Sequence, residues 1–503
     1  MKPVAFAAIA ACVVWASCRA GSPAAADAPA SIRIETARRH QTLDGFGATH
    51  VTLVHSGRDE LSPVLRARAL AAVYGQVRMT MGILDPVLLE GRDGSAPRGN
   101  DNDDPFRIDW SGFQTADIDA IVSGVLKRPE AQGFTAFQIS ARINTRWASP
   151  WLAALRSRDY QRYLDEAAEQ VVAACTYWRD RYGIVTPIVQ LFNEPLSGNA
   201  EVAHGGTQDL VDLVQRAGDR LRAAGFDSVR FVVPNEETEE KSLESARAIL
   251  ASPGARPYVA AIGYHPYPHG SVYANIGRLL DTSGSGHPDA ARLRVRRQLW
   301  ELARQYGVPV WMTEVSMGGV DARSYDDFRG RAIHIHDELT YANASAYFGM
   351  NSMWDRQSHA AHFGWRRPFF REEGNIVLLE NASDTVVITG MGYAIGHYAR
   401  WLHKGAVRIE AVSDDPLLLA TAFRDESRRR LVIVLINNAG RARPVSVAVA
   451  GGRLEGTLAG EQSTPQAYWV PVDGLPAPEP GRFTLEVPGL SVTTLAVGFS
   501  ASP

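Results

Sequence analysis

Cysteine is scarce in this chain of 503 residues, which contains only three. Cys12 and Cys18 lie in the N-terminal segment, so Cys175 is the one cysteine of the remaining chain. A single cysteine cannot form a disulfide within its own chain, and a disulfide framework is therefore excluded. Cys175 lies in the helical pattern DEAAEQVVAACTYW, which predicts a small, buried, apolar side chain.

The chain also lacks a surplus of positive charge. Lysine and arginine number 52 against 55 aspartates and glutamates, which gives a formal net charge of -3 at pH 7. Proteins that bind nucleic acid carry basic patches that neutralise phosphate groups. We therefore expect no nucleic-acid partner and favour a neutral ligand.

No apolar run is long enough for a transmembrane helix. The stretch Val4 to Ala16, preceded by Lys2, is instead typical of an export signal. Two kinds of processing remain open: Ala24 to Ala28 offers small residues for ordinary cleavage, and WASC resembles a lipidation site at Cys18. We interpret residues 1–28 as signal peptide and linker. The protein is then secreted or periplasmic, or else anchored by lipid to the outer membrane.

A histidine-rich cluster at metal-ligand spacing is missing as well. His334 and His336 are two positions apart in a helical pattern, so their side chains are expected to point apart. We predict no metal site and no cofactor.

The chain does contain a regular alternation of short apolar strands and longer segments of helical period, which is typical of a parallel sheet built from βα units. The eight predicted strands lie near Gly45, at Gln76–Gly82, Thr135–Ala141, Pro187–Asn193, Val229–Pro234, Val259–His265, Val308–Glu314 and Ala346–Trp354. Eight such units predict a (β/α)₈ TIM barrel, an α/β fold.

A different pattern follows the barrel. Short alternating strands such as RRLVIVLIN and VTTLAVGFS are separated by Gly, Pro and Asn turns, and no helix fits between them. This predicts an antiparallel β-sandwich side domain. We place the barrel at residues 44–395 and the sandwich at 396–503, with an N-terminal strand at 29–43 joining the sandwich.

Two glutamates stand where the catalytic groups of a barrel are expected. Glu194 ends the fourth predicted strand and Glu314 ends the seventh, and catalytic groups of such barrels project from the C-terminal ends of strands. In retaining glycoside hydrolysis, one carboxyl group donates a proton to the leaving oxygen and the other attacks the anomeric carbon. Together the two residues predict this chemistry.

Neighbouring residues suggest which glutamate does which. Asn193 is placed to bind a sugar hydroxyl beside Glu194, and Arg78 is predicted to hold Glu314 ionised. We therefore assign Glu314 as the nucleophile and Glu194 as the acid/base. Glu236, in VVPNEETEE, is a rival for the acid, but the acids after it are typical of a solvated helix start.

Further candidates for substrate binding lie after other predicted strands. Trp354 is expected to stack under the sugar, and Tyr267 and His265 to hydrogen-bond the nucleophile or the sugar. The weaker candidates are Asp85, Asn144 and Trp147.

With these residues in place, the chain resembles glycoside hydrolase family 30 from about Ile32 to the C-terminus. The resemblance rests on the order of QTLDGFGAT, VRMTMG, FNEP, WMTEVS, SAYFGMNSMW and GYAIGHYARWLHKGAVRIE. One departure is SARINTRWASPWL, where family members often carry a Ser-Pro-Trp-Ser-Pro-Pro-like run.

The resemblance implies a barrel flanked by a β-sandwich, net retention and no metal or organic cofactor. It matches Glu194 to the acid/base, Glu314 to the nucleophile, Asn193 to its neighbour and Arg78 to the strand-two arginine. We expect a monomeric, endo-acting hydrolase of a β-linked polysaccharide, of the xylan, glucuronoxylan, β-1,6-galactan or β-1,6-glucan class. The alternatives are an exo-acting β-glucosidase or β-xylosidase, and a non-catalytic carbohydrate-binding protein.

Overall fold

The computed structural model describes residues 29–50, 61–84, 100–113, 115–128, 136–140, 150–197, 206–267, 274–281, 290–355, 372–472, 475 and 478–501. They form a closed barrel and, beside it, a nine-stranded sheet. The predicted fold class, a TIM barrel with a C-terminal antiparallel β-sandwich side domain, is confirmed, with the side domain formed by that β-rich sheet. No helix within the described ranges combines the length and apolar character needed to cross a membrane.

The helices are α1 (Pro63–Leu70), α2 (Ala116–Ile121), α3 (Pro150–Arg158), α4 (Tyr160–Tyr182), α5 (Thr207–Ala223), α6 (Glu239–Ala251), α7 (Ala290–Tyr306), α8 (Tyr325–Tyr341) and α9 (Gly390–Ala399). The strands are β1 (Ala30–Thr42), β2 (Gly45–His50), β3 (Met81–Leu84), β4 (Ala136–Ser140), β5 (Ile188–Gln190), β6 (Arg230–Glu236), β7 (Val259–Tyr264), β8 (Ala274–Asn275), β9 (Val310–Met312), β10 (Met317–Gly318), β11 (Ala346–Asn351), β12 (Met353–Asp355), β13 (Val377–Glu380), β14 (Thr385–Ile388), β15 (Val407–Ser413), β16 (Leu418–Asp425), β17 (Arg430–Asn437), β18 (Arg443–Ala450), β19 (Gly452–Thr464), β20 (Ala467–Pro471), β21 (Arg482–Val487) and β22 (Ser491–Ala501).

The barrel closes in the order β11-β2-β3-β4-β5-β6-β7-β9, with parallel neighbours throughout. Its strands are covered on both faces, which explains their continuous apolar sequences. An apolar cluster from five of the strands fills the interior, and it consists of Met81, Ile83, Val232, Ala261, Trp311, Ala346 and Phe348. This apolar cluster closes the barrel from below, and the site lies above it, at the C-terminal ends of the strands.

Helix α4 shows how the sequence sets the limits of the barrel helices. Asp159 caps its first turn by accepting from the Arg162 backbone N–H, and Gly183 ends it in a left-handed conformation with φ of 69°. Cys175 lies on its buried face, as predicted, and burial raises the pKa of this thiol to about 12. Cys175 therefore serves as a small packing side chain.

Two predicted strands are placed differently by the structure. The second barrel strand begins at Met81 and not at Gln76, because the chain before it turns through a left-handed residue, Arg78, with φ of 63°. The eighth barrel strand ends at Asn351. Met353 and Trp354, predicted as its continuation, belong instead to β12, which pairs with β13 in a separate three-stranded sheet.

The side domain is one curled sheet in the order β20-β19-β22-β17-β16-β15-β1-β18-β21. The N-terminal strand β1 lies inside it, antiparallel to β15 and parallel to β18. Register shifts in β1 and β19 bend these long strands, so the sheet encloses an apolar core of its own.

Helices α8 and α9 fasten this sheet to the barrel. His336 on α8 contacts Thr421 at 2.7 Å, and His397 on α9 contacts Thr494 and Ser463 at 2.9 and 2.7 Å. Burial lowers the pKa of His397 to about 3, so this histidine is neutral. His334 on α8 faces Tyr347 in the barrel instead, and the two histidines point apart as predicted.

Candidate active site

Glu194 lies just beyond the end of β5, in the turn that follows two fully buried residues, Leu191 and Phe192. Its backbone is left-handed, with φ of 48°, and its N–H donates to the carbonyl of Asn235 at 2.7 Å. A non-glycine residue in this conformation costs about 1 to 3 kcal/mol and is concentrated at functional sites. The turn aims the carboxylate across the barrel mouth.

Glu314 follows β9 and is enclosed, with 7% of its surface exposed. One of its carboxylate oxygens lies within 4.8 Å of a carboxylate oxygen of Glu194. The structure therefore brings together the two glutamates predicted from strands four and seven.

His265 lies between these carboxylates. Its Nδ1 atom is 2.9 Å from Oε1 of Glu194 and 4.0 Å from Oε1 of Glu314, and its side chain is fully buried. The closer contact is a hydrogen bond that fixes the orientation of Glu194.

Tyr267 performs the same task for Glu314. Its hydroxyl donates to Oε1 of Glu314 at 3.2 Å and accepts from the Ser316 backbone N–H at 3.0 Å. Burial, followed by the charges of Glu314 and Glu194, raises the pKa of Tyr267 well above its ordinary value. Tyr267 is therefore a permanent hydrogen-bond donor to Glu314.

Asn235 supports the site from inside the barrel, and sequence reasoning did not single out this role. Its amide donates to the Val232 carbonyl at 2.8 Å and accepts from the Thr313 hydroxyl at 2.8 Å. A β-carbon on Gly263 would lie 1.9 Å from its Oδ1 atom, so this strand position requires glycine. The polar pair Asn-Glu after the apolar run RFVVP was the available signal.

The acids after Glu236 were interpreted as a helix start, and Glu239 and Glu240 do lie in the first turn of α6, but Glu236 itself is not part of that helix. Helix α6 begins three residues later behind a Thr238 cap, and Glu236 is fully buried at the end of β6. Burial raises its pKa to about 7. Its carboxylate accepts from the Leu196 backbone N–H at 3.1 Å and the Ser245 hydroxyl at 3.3 Å, so its hydrogen bonds go to the turn that carries Glu194 and to helix α6.

The predicted pairing of Arg78 with Glu314 is wrong. Arg78 precedes β3, which places it at the N-terminal rim, opposite the rim that carries Glu314. Its side chain is exposed and donates to the Arg400 carbonyl at 3.3 Å. Tyr267, and not Arg78, is the side chain that contacts Glu314.

The other predicted binding residues divide into three cases. Asn193 is half-buried beside Glu194. Trp354 is 6% exposed in β12, where it lines a cavity of about 250 Å³ with Arg323 and Glu372. Asp85, Asn144 and Trp147 lie outside the described residues.

Glu194, His265 and Glu314 also form the group that could hold a metal ion among the described residues. Each offers one ligand atom, and the three atoms lie within 4.8 Å of one another. Two carboxylates and one imidazole are compatible with several divalent cations. Chelation is therefore a necessary control for any activity of this site.

Comparison with known proteins places the fold. No family model and no curated protein match the sequence. A glycoside hydrolase family 30 subfamily 8 xylanase from Clostridium acetobutylicum matches with a TM-score of 0.64 at 17% identity, over 93% of this chain and 99% of that one. The catalytic domain of a GH30 xylanase C from Talaromyces cellulolyticus gives 0.65 at 16% identity, over 93% and 99%. An endo-β-1,6-glucanase gives 0.61 at 18%, over 93% and 94%. The chain therefore has a fold of the glycoside hydrolase family 30 type.

Proposed function

We propose that this protein is a retaining glycoside hydrolase that cleaves a β-linked polysaccharide by double displacement. The observation that carries the proposal is the separation of the two carboxylates, whose nearest ligand oxygens lie within 4.8 Å. Retaining enzymes hold their carboxyl groups about 5 to 5.5 Å apart, whereas inverting enzymes leave about 6.5 to 9.5 Å for a water molecule. The short separation favours direct attack by one carboxylate.

Glu314 is the nucleophile in this proposal. It is the more enclosed of the two acids, and the Tyr267 hydroxyl donates to it, which holds its carboxylate in one orientation for attack. Attack on the anomeric carbon forms a glycosyl ester with Glu314 and breaks the bond to the leaving oxygen. This role no longer depends on Arg78.

Glu194 is the acid/base. It gives its proton to the leaving oxygen in the first step and takes one from water in the second, when the water oxygen displaces Glu314. Its side chain is 21% exposed, which leaves it open to the leaving sugar and to water. His265 holds it in place at 2.9 Å.

The proposed substrate class is supported by the proteins of similar fold and by the sequence resemblance. The solved structures of similar fold include xylanases and an endo-β-1,6-glucanase, and the chain matches them over 93% of its length. We therefore favour endo action on xylan, glucuronoxylan, β-1,6-galactan or β-1,6-glucan. An exo-acting β-glycosidase and a non-catalytic carbohydrate-binding protein are the alternatives. We further propose that the protein is exported, as a secreted or periplasmic monomer or as one anchored to the outer membrane by a lipid at Cys18.

The first experiment is a hydrolysis screen of β-linked polysaccharides with products separated by length. It compares the wild type with Glu194→Gln, Glu314→Gln and the control Glu237→Gln, whose partly exposed carboxylate pairs with Lys241 at 2.6 Å. Short oligomers from one polymer, lost in the first two variants only, would support the proposal. Monomers alone would favour the exo enzyme, and binding without hydrolysis by the wild type would favour the binding protein.

A second experiment separates the two roles. Azide added to Glu314→Ala should restore turnover of an activated β-glycoside as the α-glycosyl azide, and azide added to Glu194→Ala should give the β-glycosyl azide. The reverse pattern would exchange the roles, and loss of wild-type activity on chelation would replace double displacement with metal-assisted hydrolysis.

A further inference from the structure

Glu236 is a buried acid that double displacement does not use. Its side chain is fully enclosed between the Glu194 turn and helix α6. A carboxyl group enclosed in this way is costly unless its contacts repay the cost. One contact reaches the turn that carries the acid/base: Oε2 accepts from the Leu196 backbone N–H at 3.1 Å, two residues after Glu194.

The backbone around Glu236 reaches the same place by two further hydrogen bonds. The carbonyl of Asn235 accepts from the Glu194 N–H at 2.7 Å, and the carbonyl of Glu236 accepts from the His265 N–H at 2.9 Å. The end of β6 therefore contacts both members of the Glu194–His265 hydrogen bond, and the Glu236 side chain is its third point of attachment.

The charged surroundings of Glu236 come from every element packed against it. Lys241 and Ser245 face it from α6, His265 from the end of β7, and Leu196 from the Glu194 turn. Lys241, His265 and the two hydrogen bonds favour the ionised form, but burial outweighs them and raises the pKa of Glu236 to about 7. The ionised form of Glu236 is therefore unfavourable in the folded protein, although its side chain contacts the Glu194 turn.

We propose that Glu236 is a positioning residue for acid catalysis: it holds the Leu196 end of the Glu194 turn so that the Glu194 carboxyl group meets the leaving oxygen. The inference rests on the proposed function. It predicts a loss confined to substrates that need a proton on the leaving group, because a misplaced acid does not slow a bond that breaks without one.

The test compares kcat/KM for two substrates of the same sugar, one with an alkyl or sugar leaving group and one with a dinitrophenyl leaving group. Glu236→Ala should lose about 10- to 100-fold on the first and less than about threefold on the second. Glu236→Gln keeps an oxygen that accepts from Leu196, so it should restore the first substrate to within about threefold of wild type. Glu237→Gln, the neighbouring control, should change neither.

Equal losses on both substrates would overturn the inference, because a general structural defect slows both. Failure of Glu236→Gln to restore the rate would also overturn it. If Glu236→Ala does not fold, the leaving-group comparison is made with Glu236→Leu and with Leu196→Pro, which removes the N–H and should show the same selective loss. Wild-type enzyme that cleaves neither substrate would instead contradict the proposed function.

Discussion

Two buried groups of ionisable side chains lie on opposite sides of the end of β7, and they differ in charge balance. Tyr264 faces outward and donates to Glu338 on α8, while the next residue, His265, faces the barrel mouth and contacts Glu194. In the outer group, both acids, Glu338 and Glu239, are paired with arginines. In the inner group, two acids share one histidine, and no lysine or arginine of the described ranges forms an ion pair with either.

The outer group shows what full pairing does to an acid. Burial alone would raise the pKa of Glu338, but Arg296, His334 and Tyr264 outweigh it and lower the value to about 2. Because this pKa is depressed, the stability that Glu338 supplies is present above its ordinary range and is lost only as pH falls toward 2. Removing an acid that is paired with a buried arginine would therefore destabilise the fold. The acids at the barrel mouth have no lysine or arginine partner among the described residues and remain available to a substrate.

The largest effect should come from Glu314→Gln. A glutamine cannot attack the anomeric carbon, so kcat/KM should fall by a factor on the order of 10⁴ or more. The free energy of unfolding should change by less than about 1 kcal/mol, because no buried cation loses its partner. Kinetics and urea unfolding of the same preparation check both values. A large loss of stability would show that Glu314 belongs with the structural acids.

Glu338→Gln should have the opposite outcome. It leaves Arg296, 2% exposed, without its closest counter-charge, and breaking a buried pair in this way costs about 3 to 5 kcal/mol. Urea unfolding measures the loss, and kcat per folded molecule should be retained. Asp326→Asn, at an exposed position of the same helix, is the control and should cost less than about 1 kcal/mol. A loss of activity without a loss of stability would erase the distinction between the two groups.

The positions of Glu194 and Glu314 were predictable because each follows a short apolar strand, and strand ends of a parallel barrel meet at one face. The position of Arg78 was not predictable, because the sequence QVRMTMG does not show at which residue the chain enters the sheet. The left-handed turn at Arg78 delays the strand to Met81 and leaves the arginine at the opposite rim. Trp354 was predicted to end the eighth barrel strand, but it lies in β12, outside the barrel. The sequence does not show this, because an apolar run that leaves one sheet at Ser352 and joins another looks like a single strand.

The burial of Glu236 could not be predicted from the sequence, because a run of acids looks the same whether its first member is buried or exposed. Its burial is decided by the packing of α6 and the Leu196 turn, which are contacts between segments far apart in the chain. Local propensity identifies the helix that follows but not the acid beneath it. The contact of Tyr267 with Glu314 was predictable, because GYHPYP places two polar aromatic residues, His265 and Tyr267, directly after a strand.

Glu236→Gln tests whether the buried carboxylate of Glu236, close to the inner group, lowers the free energy of unfolding when it is ionised. Its pKa is raised, to about 7, so the folded protein holds the proton to higher pH than the unfolded chain does. Stability should therefore fall as pH rises from about 4.5 to 7 and then level off, by about 3 kcal/mol in all. Glu236→Gln should lack this fall, which unfolding measured from pH 5 to pH 8 detects. A variant with the wild-type slope would show that another group causes it.

The smallest effects should come from removing one hydroxyl on either side of β7. Tyr267→Phe removes the donor to Glu314 and should lower kcat/KM by about 10- to 100-fold, the value of a hydrogen bond to a charged group, with little change in stability. Tyr264→Phe removes the donor to Glu338 and should cost about 1 to 3 kcal/mol of stability with kcat retained. The two variants delete the same atom from residues three positions apart. If both changed stability alike and neither changed the rate, the inner group would be structural too.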